Sequence, residues 1–269
     1  MKKTLFVLIA ILTLNSSFSQ KIDKSKSELK SGKSSSSSSS GSSRNSSSND
    51  FVFAGLLVEG FLYVSFYSTI GDYRSENHLY NSLSKFPYFD GESGNFQKEN
   101  DSIQYGNLMR LDVENHFLYS NNNIFGNHLK AKFRTFQYFY VQADYRELLE
   151  KNVFTNRFSN LSLFQFNVAY DRIRFKKFNL GWTLGATYVG NDVQKAGFSY
   201  GLHTDIFAIK NISFNSAMMW SSINGLPVNS FEIRGKYHKK NYFFSLGYEH
   251  LKIASPNYNF VTLGTGIYF

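Results

Sequence analysis

The chain has 269 residues, including 28 Phe, 18 Tyr and 2 Trp, with only 3 Pro, no Cys and a mean hydropathy of −0.31. Such an aromatic composition favours β-strands, and the lack of cysteine excludes a disulfide scaffold, thiolate zinc sites and cysteine nucleophiles. The formal net charge is +9. Two of these charges lie on Lys2 and Lys3, and residues 20–50 carry six basic and three acidic side chains, so about +4 remains on the rest. A nucleic-acid binder would concentrate positive charge on one folded face, and the sequence predicts no such face.

Residues 1–19 are predicted to be a secretory signal peptide. Lys2 and Lys3 form its basic start, and an apolar run extends from Leu5 to Leu14. This run is too short to span a membrane as a helix. The small-x-small site Ser17-Phe18-Ser19 would leave Gln20 as the mature N-terminus, so we expect the chain to leave the cytoplasm.

Residues 20–50 are predicted to be a disordered Ser-rich linker. Between Ser31 and Ser48 thirteen residues are Ser and none is bulky and apolar. Nothing there offsets the entropy of ordering the backbone. This tether is either a plain spacer or a contact for a periplasmic partner.

Residues 51–70 are apolar, with Glu59 as their one charge, so hydropathy makes them a candidate transmembrane helix. A helix of that kind would hold the chain in the inner membrane. The alternatives are an apolar helix packed at or inside a barrel, or an additional pair of strands. We favour the helix, with Glu59 facing the lumen, and expect an irregular connection over 71–107.

From residue 108 onwards, apolar and polar residues alternate with the period of two that indicates β-strands. The clearest case is 178–188, where bulky apolar residues from Phe178 to Tyr188 interleave with small polar residues and glycines. Ten segments are predicted, at 108–119, 127–136, 138–147, 160–172, 174–190, 195–208, 211–222, 228–239, 240–252 and 257–269. Their connections alternate between short turns and longer loops, such as 147–159 and 221–227. This pattern is typical of an outer-membrane β-barrel.

The polarity of the predicted faces separates a membrane barrel from a soluble β-sandwich or lipocalin-like barrel. The outward faces carry bulky aromatics suited to an interfacial girdle, namely Trp182, Tyr188, Phe198, Tyr200, Trp220, Tyr237, Tyr242 and Tyr248. The inward faces carry charge, as in Arg110–His116 and Glu232–His238. Such charges would be costly in a dry sandwich core. The fold class predicted is therefore all-β, a transmembrane antiparallel up-and-down β-barrel of about 10 strands over 108–269.

The last nine residues alternate and end on an aromatic, with Leu263, Ile267 and Phe269 on one face. This ending resembles the terminal strand by which the barrel-assembly machinery recognises bacterial outer-membrane barrels. Residues 160–269, including Asn179-Leu-Gly-Trp182 and Gly247-Tyr-Glu-His250, resemble a group of small bacterial outer-membrane barrels with no established activity. The resemblance implies an outer-membrane location and lipid contact, and it carries over no catalytic residue.

Charged residues on the first three barrel strands are predicted to form rungs across the lumen. Centring the first hairpin on Asn123 places Glu114 opposite Lys132 and Asp112 opposite Arg134, and centring the next near Gln137 places Lys130 opposite Asp144. With Arg110, these rungs form either a salt-bridged plug or a charged constriction that selects small solutes. Inward glycines on later strands, including Gly181, Gly264 and Gly266, would clear one side of the lumen, leaving room for the 51–70 helix.

No catalytic residue and no cofactor is predicted. Ser199, His203 and Asp205 share an inward face, but such a set often arises by chance in a polar lumen. Six scattered His show no metal-ligand spacing. The leading function is a largely closed structural or interaction barrel. The alternatives are a narrow channel for ions or small solutes and, third, a surface or lipid-facing enzyme.

Overall fold

Ten long antiparallel strands close into a barrel in the computed structural model, which describes residues 20–32, 63, 65–97, 109–120, 123–136, 138–152 and 156–269. Each of the ten barrel strands pairs with its sequence neighbours, and the tenth barrel strand pairs with the first barrel strand. The predicted fold and strand number are confirmed. In chain order the elements are α1 Lys21–Ser31, β1 Ser82–Leu83, β2 Phe96–Gln97, β3 Arg110–Tyr119, β4 Ile124–Arg134, β5 Phe139–Lys151, β6 Phe158–Arg174, β7 Phe178–Val189, β8 Lys195–Ile209, β9 Ile212–Ile223, β10 Leu226–Lys239, β11 Tyr242–Ile253 and β12 Asn257–Tyr268.

The barrel is apolar outside and charged inside. Successive side chains of a strand point to opposite faces, and the outward rows expose Phe166 at 61%, Phe198 at 63% and Leu263 at 64%. The inward rows bury charged residues such as Glu249 at 0% and Arg234 at 1% exposure. A barrel with this polarity is stable only with lipid around it. Because a closed barrel also pairs every strand edge, the chain is an outer-membrane barrel.

The two ends of the barrel differ in their connections. At the turn end, strands are joined by residues 135–138, 175–177, 210–211 and 240–241, and the chain enters at Arg110 and leaves at Phe269. At the loop end, strands are joined by residues 120–123, 152–157, 190–194, 224–225 and 254–256. The long loop predicted over 221–227 is wrong. Asn224 and Gly225, with φ of 54° and 76°, form a two-residue hairpin turn, which the Asn-Gly sequence favours.

α1 closes the loop end of the barrel, so the disordered linker predicted over 20–50 is wrong for residues 21–31. Ile22 and Leu29 are fully buried among apolar residues from strands around the barrel. Glu150 accepts hydrogen bonds from the backbone N–H groups of Lys21 (3.1 Å) and Ile22 (2.8 Å), which satisfies donors that every helix leaves free at its N-terminus. Asn224 donates to the Leu29 carbonyl at 2.9 Å. The barrel thus supplies caps at both ends of α1. Residues 1–19 and 33–50 lie outside the described residues.

Residues 72–97, the turn-end cap, cover the opposite mouth. The cap contains the short β1–β2 pair and 3₁₀ turns at Asn77–Tyr80 and Phe89–Gly91, in keeping with the irregular connection predicted there. Glu76 anchors it through two hydrogen bonds from the Arg172 guanidinium, at 2.8 and 2.9 Å. These bonds lower the pKa of Glu76 to about 2. Burial raises the pKa of Tyr88, whose hydroxyl bonds the Ile209 carbonyl, to about 12.

The described end of the 51–70 segment lies on the outer wall of the barrel, not in the lumen. Residues 65–69 are helical. Trp182 Nε1 donates to the Thr69 carbonyl at 3.0 Å, and the Tyr170 hydroxyl donates to the Ile70 carbonyl at 2.9 Å. Both donors belong to outward rows of β6 and β7. The predicted position inside the barrel is therefore wrong for this part, and Glu59 lies outside the described residues. Among the described helices, none is both long and apolar enough to cross a membrane.

Candidate functional site in the lumen

The barrel interior consists of three layers from the loop end to the turn end. The first is apolar and includes α1. The second is a layer of ion pairs, and the third combines aromatic and cationic side chains beneath the cap. In this third layer the Arg174 guanidinium lies 3.7 Å from the Tyr138 ring centroid, and that of Arg134 lies 4.1 Å from the Tyr140 ring centroid. Such short distances are typical of cation–π contacts.

Ion pairs between β4, β5, β10 and β11 join opposite walls of the lumen. Lys130 Nζ lies 2.9 Å from Glu232, and Arg146 lies 3.1 Å from Glu232 and 2.6 Å from Glu249. Arg234 pairs with Glu232 and, at 2.8 Å, with Glu249. The set, here called the central cluster, is Lys130, Asp144, Arg146, Glu232, Arg234 and Glu249, with His128 between Asp144 and Glu249. Its three cations balance its three anions, so the desolvated charges compensate one another.

The predicted charge rungs are in part displaced. Lys130 stands opposite Asp144 as predicted, with Nζ and Oδ1 3.6 Å apart. Between β3 and β4, however, Asp112 stands opposite Lys132 and Glu114 opposite Lys130, so the predicted register is wrong by two residues. The hairpin closes between Tyr119 and Phe125, one position earlier than a centre at Asn123 requires.

All seven predicted rung residues are buried in the lumen, and three of them, Glu114, Lys130 and Arg134, also find partners beyond the neighbouring strand. Arg110 pairs with Asp112 on its own strand at 2.7 Å. Arg134 contacts Asp112 at 3.5 Å and Asp171 at 2.6 Å. Glu114 pairs with Lys236 at 2.9 Å. Lys132 lies 5.9 Å from the Tyr140 ring centroid. Closure of the barrel brings Glu232 and Lys236 of β10 to Lys130 and Glu114, and pairing of neighbouring strands does not specify these contacts.

Inward glycines make room for large side chains of adjacent strands rather than for a helix. A Cβ on Gly264 would lie 2.1 Å from His116 Nδ1, and one on Gly266 would lie 2.3 Å from the Phe243 ring. One on Gly181 would lie 2.3 Å from the His203 ring. Real Cβ contacts are not that short, so these positions require glycine for close packing. The space beside these glycines is therefore filled by barrel side chains, and residues 51–62 of the segment expected there lie outside the described residues.

Ser199, His203 and Asp205, which share an inward face, do not come together as a Ser–His–Asp set. Ser199 donates to Asn167, His203 Nε2 lies 2.9 Å from Asp171 and 3.0 Å from the Tyr140 hydroxyl, and Asp205 accepts from Asn215.

A different set has the hydrogen-bond order of a catalytic triad. Ser245 Oγ lies 3.1 Å from His116 Nδ1, and His116 Nε2 lies 3.1 Å from Glu114 Oε2. The alternation of inward and outward residues along β3 and β11 places each of these side chains in the lumen. They meet because both strands pair with β12, and the alternation along a single strand does not reveal that pairing. All three are buried, and Glu114 is also held by Lys236. A triad needs room for a substrate carbonyl beside the serine, whereas Ser245 is buried.

Three ligand-type side chains of the central cluster, His128, Glu232 and Glu249, place one donor atom each within 4.8 Å of the others. Both carboxylates already accept hydrogen bonds from arginine, and Lys130 adds a third neighbouring cation. A divalent ion would therefore meet three positive charges. These residues fit a salt-bridge network better than a metal centre.

Little space remains between these side chains. A cavity of about 10 Å³ lies among Lys130, His203 and Glu232, and another of about 10 Å³ lies among Arg146, Ser230 and Leu251. Each holds about one water molecule at most. At these two places the described side chains leave room for single waters, as expected for a barrel only slightly wider than eight strands.

No protein-family model matches the chain, and no curated protein matches it significantly. Solved outer-membrane barrels resemble it in structure. An outer-membrane channel from Pseudomonas putida F1 has 9% identity and a TM-score of 0.35, over 64% of this chain and 100% of that one. The outer-membrane protein Ail of Yersinia pestis has 12% identity and a TM-score of 0.34, over 60% and 100%. The KdgM porin, solved with oligogalacturonate, has 8% identity and a TM-score of 0.35, over 60% and 99%. Proteins of different roles thus show the same degree of similarity, and the role of this chain rests on its own geometry.

Proposed function

We propose that this protein is a closed outer-membrane barrel with a structural or interaction role, which neither conducts solutes nor catalyses a reaction. The central cluster carries the proposal, because Lys130–Glu232 and Arg146–Glu249 link opposite walls of the lumen. Two further closures support it: α1 at the loop end and the cap at the turn end. An open pore needs a continuous polar path, and the cavities among these side chains hold single waters.

Single-channel recording in planar bilayers tests the closed lumen. We expect no conductance from the refolded full-length protein, and none from a variant lacking residues 20–32, because the ion pairs lie below α1. A known porin, refolded in the same way, is the positive control. Reproducible openings in the shortened variant would show that α1 alone closes a channel for ions or small solutes, and would overturn the proposal.

The absence of catalysis is proposed from the same packing. Ser245, His116 and Glu114 have triad order, but they are buried and Glu114 neutralises Lys236. A fluorophosphonate probe, which labels activated serines, is expected to leave the folded protein unmodified. Labelling that disappears in Ser245→Ala would contradict this conclusion.

The terminal strand is proposed to contact the barrel-assembly machinery. Leu263 and Ile267 lie on the outward row of β12, and Phe269, which is 67% exposed, continues that row. Its backbone also closes the barrel, since Phe269 N donates to the Leu111 carbonyl at 2.8 Å and its carbonyl accepts from Leu111 N at 3.1 Å. Deleting Phe269 is expected to lower the yield of assembled barrel in cells. Normal yield would refute the role of this ending.

The interaction role is proposed for the loop end, where α1 and five connections form the surface. Lys24 and Lys30 of α1 are exposed there. A periplasmic partner for the tether was predicted from the sequence, but α1 lies at the end opposite to Arg110 and Phe269. Because the shorter connections of such barrels face the periplasm and the longer ones face outwards, we propose that residues 20–32 lie on the outer side.

A further inference from the structure

A cleft of about 760 Å³ lies between the turn-end cap and the barrel rim. Cap residues Phe86 and Phe89 form one wall, and Met109, Tyr268 and Phe269 form the other. Its volume is in the range of small-molecule sites. Nothing in the closed-barrel role uses this cleft.

The cleft is continuous with the lipid-facing surface of the barrel. Met109 and Phe269 continue the outward rows of β3 and β12, and they are 68% and 67% exposed. Outward rows of a membrane barrel face acyl chains, with aromatic side chains at the headgroup level. A chain lying along β3 and β12 can therefore enter the cleft from the bilayer without crossing water.

Charged groups also line the cleft. Lys85 and Lys240 are among them, and in the described part of the chain neither forms an ion pair within 4.0 Å. Lys85 Nζ lies 5.1 Å from the centroid of the Phe89 ring, so its charge is held beside the apolar wall. Arg110 also lines the cleft, but its guanidinium is bonded to Asp112, Ser84 and Asn95.

Negative charge is also present in the lining. Asp90 lines the cleft and is exposed. A lining with both lysines and an aspartate complements a headgroup that bears both signs better than it complements a free anion. A phosphate would contact the two ammonium groups, and an amine would contact a carboxylate.

We propose that this cleft binds a glycerophospholipid with an amine-bearing headgroup from the turn-end leaflet. One acyl chain lies against Met109, Phe269 and the cap phenylalanines. The phosphate contacts Lys85 and Lys240, and the headgroup amine contacts Asp90. The lipid thereby joins the cap to the barrel rim.

Native mass spectrometry of the refolded full-length protein in mild detergent tests this assignment. The probes are short-chain phosphatidylethanolamine, short-chain phosphatidylglycerol and inorganic phosphate, each titrated separately. We expect one molecule of phosphatidylethanolamine to bind, phosphatidylglycerol to bind more weakly and inorganic phosphate not to bind. Lys85→Gln/Lys240→Gln should weaken phosphatidylethanolamine binding about tenfold.

The control variant is Lys177→Gln/Lys210→Gln, which removes two exposed turn-end lysines that do not line the cleft. It should change the affinity less than twofold. Equal weakening by both double variants would mean general attraction to the turn end and would overturn the site. Equal affinity for the two lipids would overturn the headgroup assignment. Binding of inorganic phosphate as tightly as lipid would exclude the acyl-chain contact. The heat-dependent shift in gel mobility that is usual for folded barrels checks each variant.

Discussion

Replacing Glu249 by glutamine tests whether the central cluster holds the lumen together through charge balance. The change keeps the shape of the side chain but removes its charge, and Glu249 is fully buried. It accepts from Arg146 Nε at 2.6 Å and from Arg234 Nη2 at 2.8 Å, and it lies 3.0 Å from His128 Nδ1. After the change, three cations of the cluster face two anions. Breaking one member of a buried pair in this way costs about 3–5 kcal/mol.

Equilibrium unfolding in urea, with the barrel in lipid vesicles and Trp182 and Trp220 as fluorophores, measures this free energy. The surface control is Glu147→Gln, because Glu147 is half-buried on an outward row and, among the described residues, accepts one hydrogen bond, from Tyr145 at 3.0 Å. We expect the control to cost about 1 kcal/mol or less.

Restoring neutrality provides the decisive comparison. The double variant Glu249→Gln/Arg146→Met leaves two cations and two anions in the cluster, so we expect it to cost less than the sum of the two single changes. A double-variant cycle isolates this pairwise energy. The charge-balance argument is refuted if Glu249→Gln costs less than about 1 kcal/mol, the range of exposed pairs, or if the two single costs simply add.

Three other results are expected. Glu150→Gln removes the charged acceptor for the N-terminus of α1, whose hydrogen bonds are worth about 1.5–3 kcal/mol. Trypsin should therefore cleave at the α1 lysines faster in this variant than in Glu147→Gln. Equal rates would show that Glu150 does not hold the helix on the barrel. The pKa of Glu76 is lowered to about 2 in the folded state. The contribution of the Glu76 carboxylate to the stability of the cap is therefore full above pH 4.5 and is lost as the pH falls towards 2. Hydrogen exchange of the cap should therefore accelerate over that range, and an unchanged profile in Glu76→Gln would assign the acceleration to another group. Gly264→Ala should strongly destabilise the barrel, because its Cβ meets His116 Nδ1 at 2.1 Å, whereas Gly235→Ala, whose nearest atom lies at 3.7 Å, should be tolerated; similar urea midpoints for the two variants would contradict the packing argument.

The period of two along the chain was sufficient to predict the ten strands and the charged interior, because alternation is a local property. The register of β3 against β4 was harder to predict, because it depends on the turn conformation at residues 120–123. Partners such as Lys130 and Glu232 are 102 residues apart. They meet because barrel closure brings β4 and β10 to opposite walls, and no local pattern encodes that contact.

α1 could not be predicted from its own sequence. Its segment is rich in Lys and Ser, and Ile22 and Leu29 are its only bulky apolar residues. A helix of 11 residues is marginal in isolation, so the barrel must stabilise it. The caps that it needs, Glu150 and Asn224, lie more than a hundred residues away in the chain.

The position of α1 has a consequence for biogenesis. α1 is the first described element of the chain, but Ser25 bonds the Ile253 carbonyl of β11 at 3.0 Å and the Tyr258 hydroxyl of β12 at 2.8 Å. The surface that binds α1 is therefore complete only after β11 and β12 have been synthesised and paired. A chain truncated before β11 would leave this lysine-rich segment unprotected, and envelope proteases would find it cleavable. Protection of α1 from proteolysis therefore depends on the pairing of β11 and β12.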